Sequence, residues 1–242
     1  MSLQAKRILI VGGGSGIGCA VAQASIADGA SVTIASTNLE RTQAAAKELG
    51  AAASAARLDL TKESDVAAFF AKSDSFDHIV TTAGDWNGPR RGPLSDLDLD
   101  AARKTFDVRF WGALVLAKHG AKALSPNGSL TFTDGMIAHK PSRGSFVSTA
   151  MTGAIEHLTR ALALELAPLR VNAVCPGLIH TQIWNSIPEE HRDARLAEMT
   201  KGQPIARVGT PAEVAEAYLY LMRAGYTTGQ VLYVEGGSAL KS

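Results

Sequence analysis

Short apolar runs alternate along the chain with longer amphipathic segments, and each kind has its own period. Strands are predicted over 6–11, 31–36, 53–58, 78–82, 128–133, 170–174 and 230–234. Helices are predicted over 39–49, 62–71, about 97–124, about 146–167 and 211–222, with another starting near Ser15 or Gly16 and continuing through the amphipathic run 19–28. Strand following helix throughout, with the strands apolar enough to be buried on both faces, describes an α/β fold built on a doubly wound parallel sheet. About seven strands lie between two helical layers, a three-layer single domain spanning 1–242 with no repeat, low-complexity tract or linker to divide it.

The first predicted strand ends in a glycine cluster, Ile8-Leu9-Ile10-Val11-Gly12-Gly13-Gly14-Ser15-Gly16-Ile17-Gly18. Glycines clustered at such a place let the backbone turn sharply into a helix, leave room for a pyrophosphate and let helix and strand pack closely. Gly12, Gly16 and Gly18 have the needed positions, with Ser15 and Ile17 between them at the helix start. That helix start aims unpaired N–H groups and a partial positive charge at an anion. With 23 glycines in the chain, a cluster also arises for turns alone. Its position after a strand, before a helix and at βαβ distance from a second strand favours dinucleotide binding in a Rossmann-type sheet.

Ligands of such sheets gather beyond the carboxyl ends of the strands. The segments to inspect are 12–18, 36–41, Asp59 and Leu60, 83–85, 134–145 and 176–181. The long segment 180–209 carries Trp184, Pro188, Pro204 and a charged helical stretch over 189–201. It reads as a substrate lid or, in the alternative, as an ordinary surface helix and loop.

An apolar share of 46% supplies a sizeable core, and a net charge of +1 argues against a nucleic-acid groove or a polybasic membrane surface. No apolar run reaches membrane-spanning length, the N-terminus lacks a signal-peptide layout, and a cytoplasmic location is the default expectation. The two cysteines, Cys19 and Cys175, have no metal-ligand spacing, so free buried thiols are expected and no metal site.

Several ordered motifs resemble the short-chain dehydrogenase/reductase family over nearly the whole chain. Gly12, Gly16 and Gly18 match its first glycine motif, with Val11 in place of a threonine. Thr81-Thr82-Ala83-Gly84 stands for its Asn-Asn-Ala-Gly, and the text 158–167, Arg170-Val171-Asn172-Ala173-Val174-Cys175-Pro176-Gly177 and 228–237 runs close to the family's own. The resemblance implies that Asp59 and Leu60 lie by an adenine and that Ala83 and Gly84 line the adenosine ribose. It also implies that Pro176, Gly177, Ile179 and Thr181 hold a nicotinamide carboxamide. Asp59 has a competing role as a helix cap. After the second strand, where an acidic residue would select NAD, stand Ser36, Thr37 and Asn38 with Arg41 one turn on, a set that favours NADP over NAD.

The family's proton-transfer residues are missing. Alignment on Leu158-Thr159-Arg160 puts Ser148 at the tyrosine and Thr152 at the lysine, Gly135 at the polarising serine with Asp134 adjacent, and Arg109 at the relay asparagine. All four tyrosines, Tyr218, Tyr220, Tyr226 and Tyr233, lie late in the chain, and none is followed four residues on by lysine. A serine is a far weaker acid than a phenol, whose reference pKa is about 10. Substitute donors are His139, Lys140, Arg143 and His180, each weighed against a solvated surface role, and Asp134, weighed against a cap or turn; His78, His119, His157 and His191 fall on predicted elements away from the pocket. The catalytic residues are therefore not named by the sequence.

Two functions remain. One is an atypical oxidoreductase passing hydride to a small-molecule acceptor that needs little acid help, anionic if Arg109 faces it. The other is a catalytically silent dinucleotide-binding protein, a sensor or a non-catalytic subunit. In the family the two long helices pack on symmetry mates, so a homodimer or homotetramer is expected.

Overall fold

The computed structural model of the chain describes residues 2–84 and 92–241. Strands β1 (Arg7–Val11), β2 (Ser31–Ser36), β3 (Ala53–Arg57), β4 (Phe76–Thr81), β5 (Leu124–Thr133), β6 (Arg170–Pro176) and β7 (Val231–Val234) pair in parallel in the order β3-β2-β1-β4-β5-β6-β7. From β1 the chain winds outward to β2 and β3 on one side, then crosses back to β4 on the other. The carboxyl end of β1 is thus the point where the strand order reverses and a crevice opens.

The period of two along each strand sorts side chains into two cores. In β1, Ile8 and Ile10 face the layer of α1 (Gly16–Ala27), α2 (Leu39–Leu49) and α8 (Pro211–Arg223). Leu9 and Val11 face the layer of α3 (Glu63–Lys72), α5 (Gly112–Gly120) and α6 (Phe146–Glu165). The same parity puts Leu130 and Phe132 of β5 and Val171 and Ala173 of β6 on the α6 face. Thr133 points the opposite way, where its hydroxyl meets that of buried Tyr218 on α8 at 2.6 Å.

Helix starts follow their caps. Asn38 accepts from the Arg41 N–H at the head of α2, and Thr210 and Glu213 form a reciprocal capping box at α8. The single helix predicted over 97–124 is instead α4 (Leu99–Phe106), a π-helical turn (Asp107–Trp111), α5 and a 3₁₀ turn (Ala121–Ala123). Gly112, at the exit of the π turn, has Leu60 Cβ only 2.8 Å from where its own Cβ would stand, so the bare helix backbone receives the Leu60 side chain of the β3–α3 connection. β5 begins at Leu124, earlier than the turn-like text Ser125-Pro126-Asn127-Gly128 suggests, because a register shift against β4 between Phe76 and His78 absorbs the irregular residues. Between β6 and α8 the predicted 189–201 helix forms as α7 (Glu189–Thr200). Among the described residues no helix is long and apolar enough to cross a membrane.

Candidate nucleotide-binding and active site

The glycine turn is built by close approach. Gly12 and Gly16 have φ of +90° and +54°, and a Cβ on Gly12 would stand 2.7 Å from Thr82 Oγ1 and 2.8 Å from the Ala83 nitrogen. A Cβ on Gly18 would stand 2.4 Å from the Gly12 oxygen and 2.5 Å from Thr82 Oγ1. The turn, the start of α1 and the exit of β4 are therefore pressed together at backbone distance. Ser15, at the N-cap of α1, makes no side-chain capping bond, and the first turn holds no acidic residue. Its orphan N–H groups and the positive end of the helix dipole are left for an anion. The Ile17 side chain packs on the first core, leaving its backbone to face the turn.

Behind this turn the β2 exit divides its polar groups. Ser36 accepts from the Asn38 N–H at 3.2 Å and lies 2.7 Å from the Thr42 hydroxyl, so it shapes the turn. Thr37 and Arg41 remain exposed, and Arg41 Nε comes to 3.8 Å from the Cβ position of Gly14, bringing a guanidinium back over the glycine turn. Asp59 accepts from the Thr61 N–H at 3.0 Å and the Thr61 hydroxyl at 2.6 Å. Those bonds hold its carboxyl below the usual range and close a turn ahead of α3, whose N-cap is Lys62 without a side-chain capping bond, so Asp59 does not cap the helix as weighed against adenine contact. Leu60 is buried against Gly112, so only its backbone can face a ligand.

At the other end of the crevice Pro176 pairs with Val234, and Gly177 approaches Glu235 so closely that a Cβ would stand 2.7 Å from Glu235 Cα. Ile179 is buried, bridges to Gly209, and accepts the Trp184 indole N–H at 2.7 Å through its carbonyl. Thr181 comes back to the glycine turn, 3.4 Å from the Cβ position of Gly16. Gly16 of the first motif and Thr181, 165 residues apart, thus enclose one crevice. Asp85, within the segment marked from the sequence, lies outside the described residues.

Arg109, on the π-helical turn, lays its guanidinium against Gly84, with Nε 2.8 Å from that glycine's Cβ position. Gly135 and Thr152 are neighbours, the Cβ position of the first lying 3.6 Å from Thr152 Cγ2. Thr152 is 1% exposed, and its hydroxyl donates to the helix carbonyls of Ser148 at 2.8 Å and Thr149 at 3.2 Å. Lys140 is committed elsewhere, to the carbonyls of Ser238 and Lys241 at the C-terminal turn, while Arg143 and His180 are exposed.

Strand parity assembles a group that sequence spacing missed. Asp134 follows β5 on the α6 face, Cys175 lies on that face of β6, and Tyr233, paired with Cys175, on that face of β7. Glu156 of α6 and His139 close the group, His139 Nε2 bonding Glu156 Oε1 and lying 3.0 Å from the Tyr233 hydroxyl. Asp134 is neither a cap nor a turn residue, correcting the expectation. It is 2% exposed, and both its oxygens are buried without a hydrogen bond of regular geometry. Burial, then the adjacent Glu156 carboxylate, pushes its carboxyl well above the ordinary range. Burial works to raise Glu156 too, but the carboxyl of Asp134 and the ring of His139 hold it below the usual value. Burial and Glu156 push the Tyr233 phenol up to about 12, the opposite of what a proton-donating tyrosine needs. His139 is not simply solvated, again correcting the expectation, and Cys19 is half-buried where a buried thiol was expected. Asp134 and Cys175 could have been found from the alternation that also places Phe132 and Ala173, and Glu156 as the residue one helical turn beyond Thr152.

Sheet order, glycine turn and enclosed crevice define a Rossmann-like α/β protein. The chain belongs to the short-chain dehydrogenase/reductase family: a family model described as Enoyl-(Acyl carrier protein) reductase matches residues 12–239. A short-chain dehydrogenase/reductase of Stachybotrys chlorohalonatus is 36% identical over 255 residues, covering 99% of both chains. The 3-oxoacyl-[acyl-carrier-protein] reductase of Homo sapiens is 31% identical, covering 97% of this chain and 98% of its own. Among solved structures, a small-chain dehydrogenase in complex with NADPH superposes with a TM-score of 0.81 at 34% identity, covering 98% of this chain and all of its own (100%). The MalC reductase/Diels-Alderase of Malbranchea aurantiaca superposes with a TM-score of 0.89 at 32% identity, covering 98% of this chain and 96% of its own.

Proposed function

We propose that this chain is an NADP(H)-dependent oxidoreductase with a degenerate proton-transfer site, acting on a small-molecule acceptor that is already activated. The observation that carries the reading is a contrast. The backbone cradle has Gly12 and Gly18 where a side chain would clash and Gly16 at a positive φ, whereas the usual acid, its lysine and the polarising serine are replaced by Ser148, Thr152 and Gly135. Thr152 already spends its hydroxyl on helix carbonyls.

The cradle fits a dinucleotide. The backbone at Gly12, Ser15, Gly16, Ile17 and Gly18 holds the pyrophosphate, and Thr37 and Arg41, beside Ser36, take the 2′-phosphate that distinguishes NADP from NAD. Asp59 and the Leu60 backbone border the adenine, Ala83 and Gly84 the adenosine ribose, and Pro176, Gly177, Ile179 and Thr181 the carboxamide. When bound, NADP(H) supplies a hydride. Arg109 places a fixed cation against Gly84, which favours an anionic substrate or one that gains negative charge. The segment 180–209, tied down by the Trp184–Ile179 bond and by Gly209, is suited to cover the crevice as a lid.

Loss of a positioned acid costs roughly 10²- to 10⁴-fold in rate. Iminium ions, activated alkenes and quinone-like acceptors do without that help better than plain ketones. The similarity to one protein named a 3-oxoacyl reductase and another named a reductase/Diels-Alderase supports a scaffold that hosts differing chemistry. NADPH oxidation across a panel of imines, activated alkenes, quinones and ketones tests the reading. Turnover concentrated on the first three supports it, while tight NADPH binding with no turnover on any acceptor would replace it with a silent dinucleotide-binding protein. The chain works as a homodimer or homotetramer, for Leu164 on α6 and Trp111 are left 84% and 54% exposed on a single copy. Light scattering that finds monomers at micromolar concentration overturns that part.

A further inference from the structure

The α6 face of β5, β6 and β7 carries an arrangement that nucleotide binding and hydride transfer do not use. One ligand-type atom from each of Asp134, His139, Glu156 and Cys175 lies within 4.8 Å of all the others. Asp134, Glu156 and Cys175 are 2%, 5% and 0% exposed, and His139 is the exposed member of the group. The Asp134 carboxyl is the telling part: both oxygens are buried and neither makes a hydrogen bond of regular geometry, while the Gly135 N–H, the Cys175 thiol and the Glu156 carboxyl crowd around them. Two carboxyl groups so placed must share a proton or hold a cation between them. The fixed cation on the far side of Glu156 is Arg160, at 3.7 Å from Oε2 and 49% exposed, which does not reach Asp134.

A shared proton would relieve the two carboxylates but would give no reason for a thiol and an imidazole to converge on the same point. We infer that Asp134, His139, Glu156 and Cys175 bind a divalent transition-metal ion of the zinc or cobalt kind. One sulfur, one nitrogen and two oxygens make a mixed four-donor set suited to tetrahedral borderline-soft ions. Calcium and magnesium, which take six or more oxygens, are poorly served by it. The ion enters past His139 and Tyr233, the exposed edge of the group. Its place in the fold gives it a structural role. It ties the end of β5 to β6, to α6 and to the turn after Gly135, so it fixes the wall from which Gly135 and Thr152 face each other.

Cobalt titration of chelator-stripped protein reads this without nucleotide or substrate, so the outcome is independent of the proposed reaction. One equivalent of Co²⁺ is expected, with a thiolate-to-cobalt charge-transfer band in the near ultraviolet, four-coordinate bands in the visible, and loss of both on adding Zn²⁺. Cys175→Ala should abolish the charge-transfer band, and Glu156→Gln should weaken Co²⁺ binding at least tenfold; far-ultraviolet circular dichroism checks that each is folded. Wild-type protein that takes up no stoichiometric Co²⁺ or Zn²⁺, or that binds Co²⁺ without a thiolate band, overturns the inference whether or not the variants fold. Uptake unchanged in both folded variants overturns it as well.

Discussion

Replacing Gly18 by alanine attaches a methyl group where there is no space for one. The new carbon would stand 2.4 Å from the Gly12 oxygen, 2.8 Å from the Gly12 carbonyl carbon and 2.5 Å from Thr82 Oγ1. Thr82 can turn its hydroxyl aside, but the Gly12 carbonyl is backbone within the phosphate turn. The shortfall from van der Waals contact is about 1 Å, so α1 must lift from β1 by a comparable amount. Overpacking of this kind costs about 1 to 3 kcal/mol of stability. The same movement carries the α1 N-terminal N–H groups away from the anion, and losing one charge-assisted hydrogen bond, worth about 1.5 to 3 kcal/mol, weakens NADPH by roughly 10- to 100-fold. Gly50→Ala is the control. Gly50 also has a positive φ, +91°, but nothing lies within 4 Å of its Cβ position, so it should lose stability through backbone strain and keep its nucleotide affinity. NADPH fluorescence titration beside urea unfolding separates the two effects. A folded Gly18→Ala protein that binds NADPH like wild type refutes the claim that this backbone contact positions the phosphate site.

Arg41→Ala should raise the Kd for NADPH by roughly 10- to 100-fold while leaving NADH within about twofold, measured by the same titration, because the lost ion pair involves only the 2′-phosphate; equal losses for both nucleotides would count against the assignment. His78, buried in β4 with Nδ1 2.8 Å from Ser129 Oγ, has its pKa pulled down to about 4 by burial and then by Arg170. An unfolded histidine takes up its proton near 6.5 while the folded one does not, so stability is full above that pH and falls as pH drops from about 6.5 to about 4, by roughly 3 kcal/mol in total. Urea unfolding of wild type and His78→Gln across that range should show a shallower acid slope in the variant, and parallel curves would remove His78 as the cause.

What the sequence made legible was governed by the backbone. Glycines where only a bare backbone fits and apolar runs of strand length act within a few residues of themselves, so their consequences can be read locally. The seven strands and the crevice between Gly16 and Thr181 followed from such signals. The long helix before β5 did not, because its hydrophobic stripe continues through the π turn at Asp107–Trp111 and periodicity cannot register one extra residue in a turn. Asp59 shows the limit at a single side chain. Its position at a strand end fits both an adenine contact and a helix cap, and only the geometry shows that one oxygen is taken by Thr61 in the turn ahead of α3.

Side-chain chemistry gathered from several elements follows a different rule. Asp134, His139, Glu156, Cys175 and Tyr233 come from three strands' ends or edges, a turn and a helix, and no interval between them resembles a motif. What unites them is parity: the register that pairs Thr133 with Val174 and Cys175 with Tyr233 sets three polar side chains on one sheet face, directly under a helix that turns Glu156 toward them. An apolar core would ordinarily fill that face, as Leu130, Phe132 and Ala173 do one pleat earlier. The switch from apolar to acidic happens where the strands leave the core and approach the crevice, beside Gly135 and Thr152. A buried polar group at that boundary would hold the pocket wall in one arrangement if the inferred ion joins its members. On the proposed reading, Ser148 and Thr152 in place of a tyrosine and a lysine and the cluster at Asp134 fall at the same end of the sheet, so an ion held there would set from behind the wall that a substrate meets.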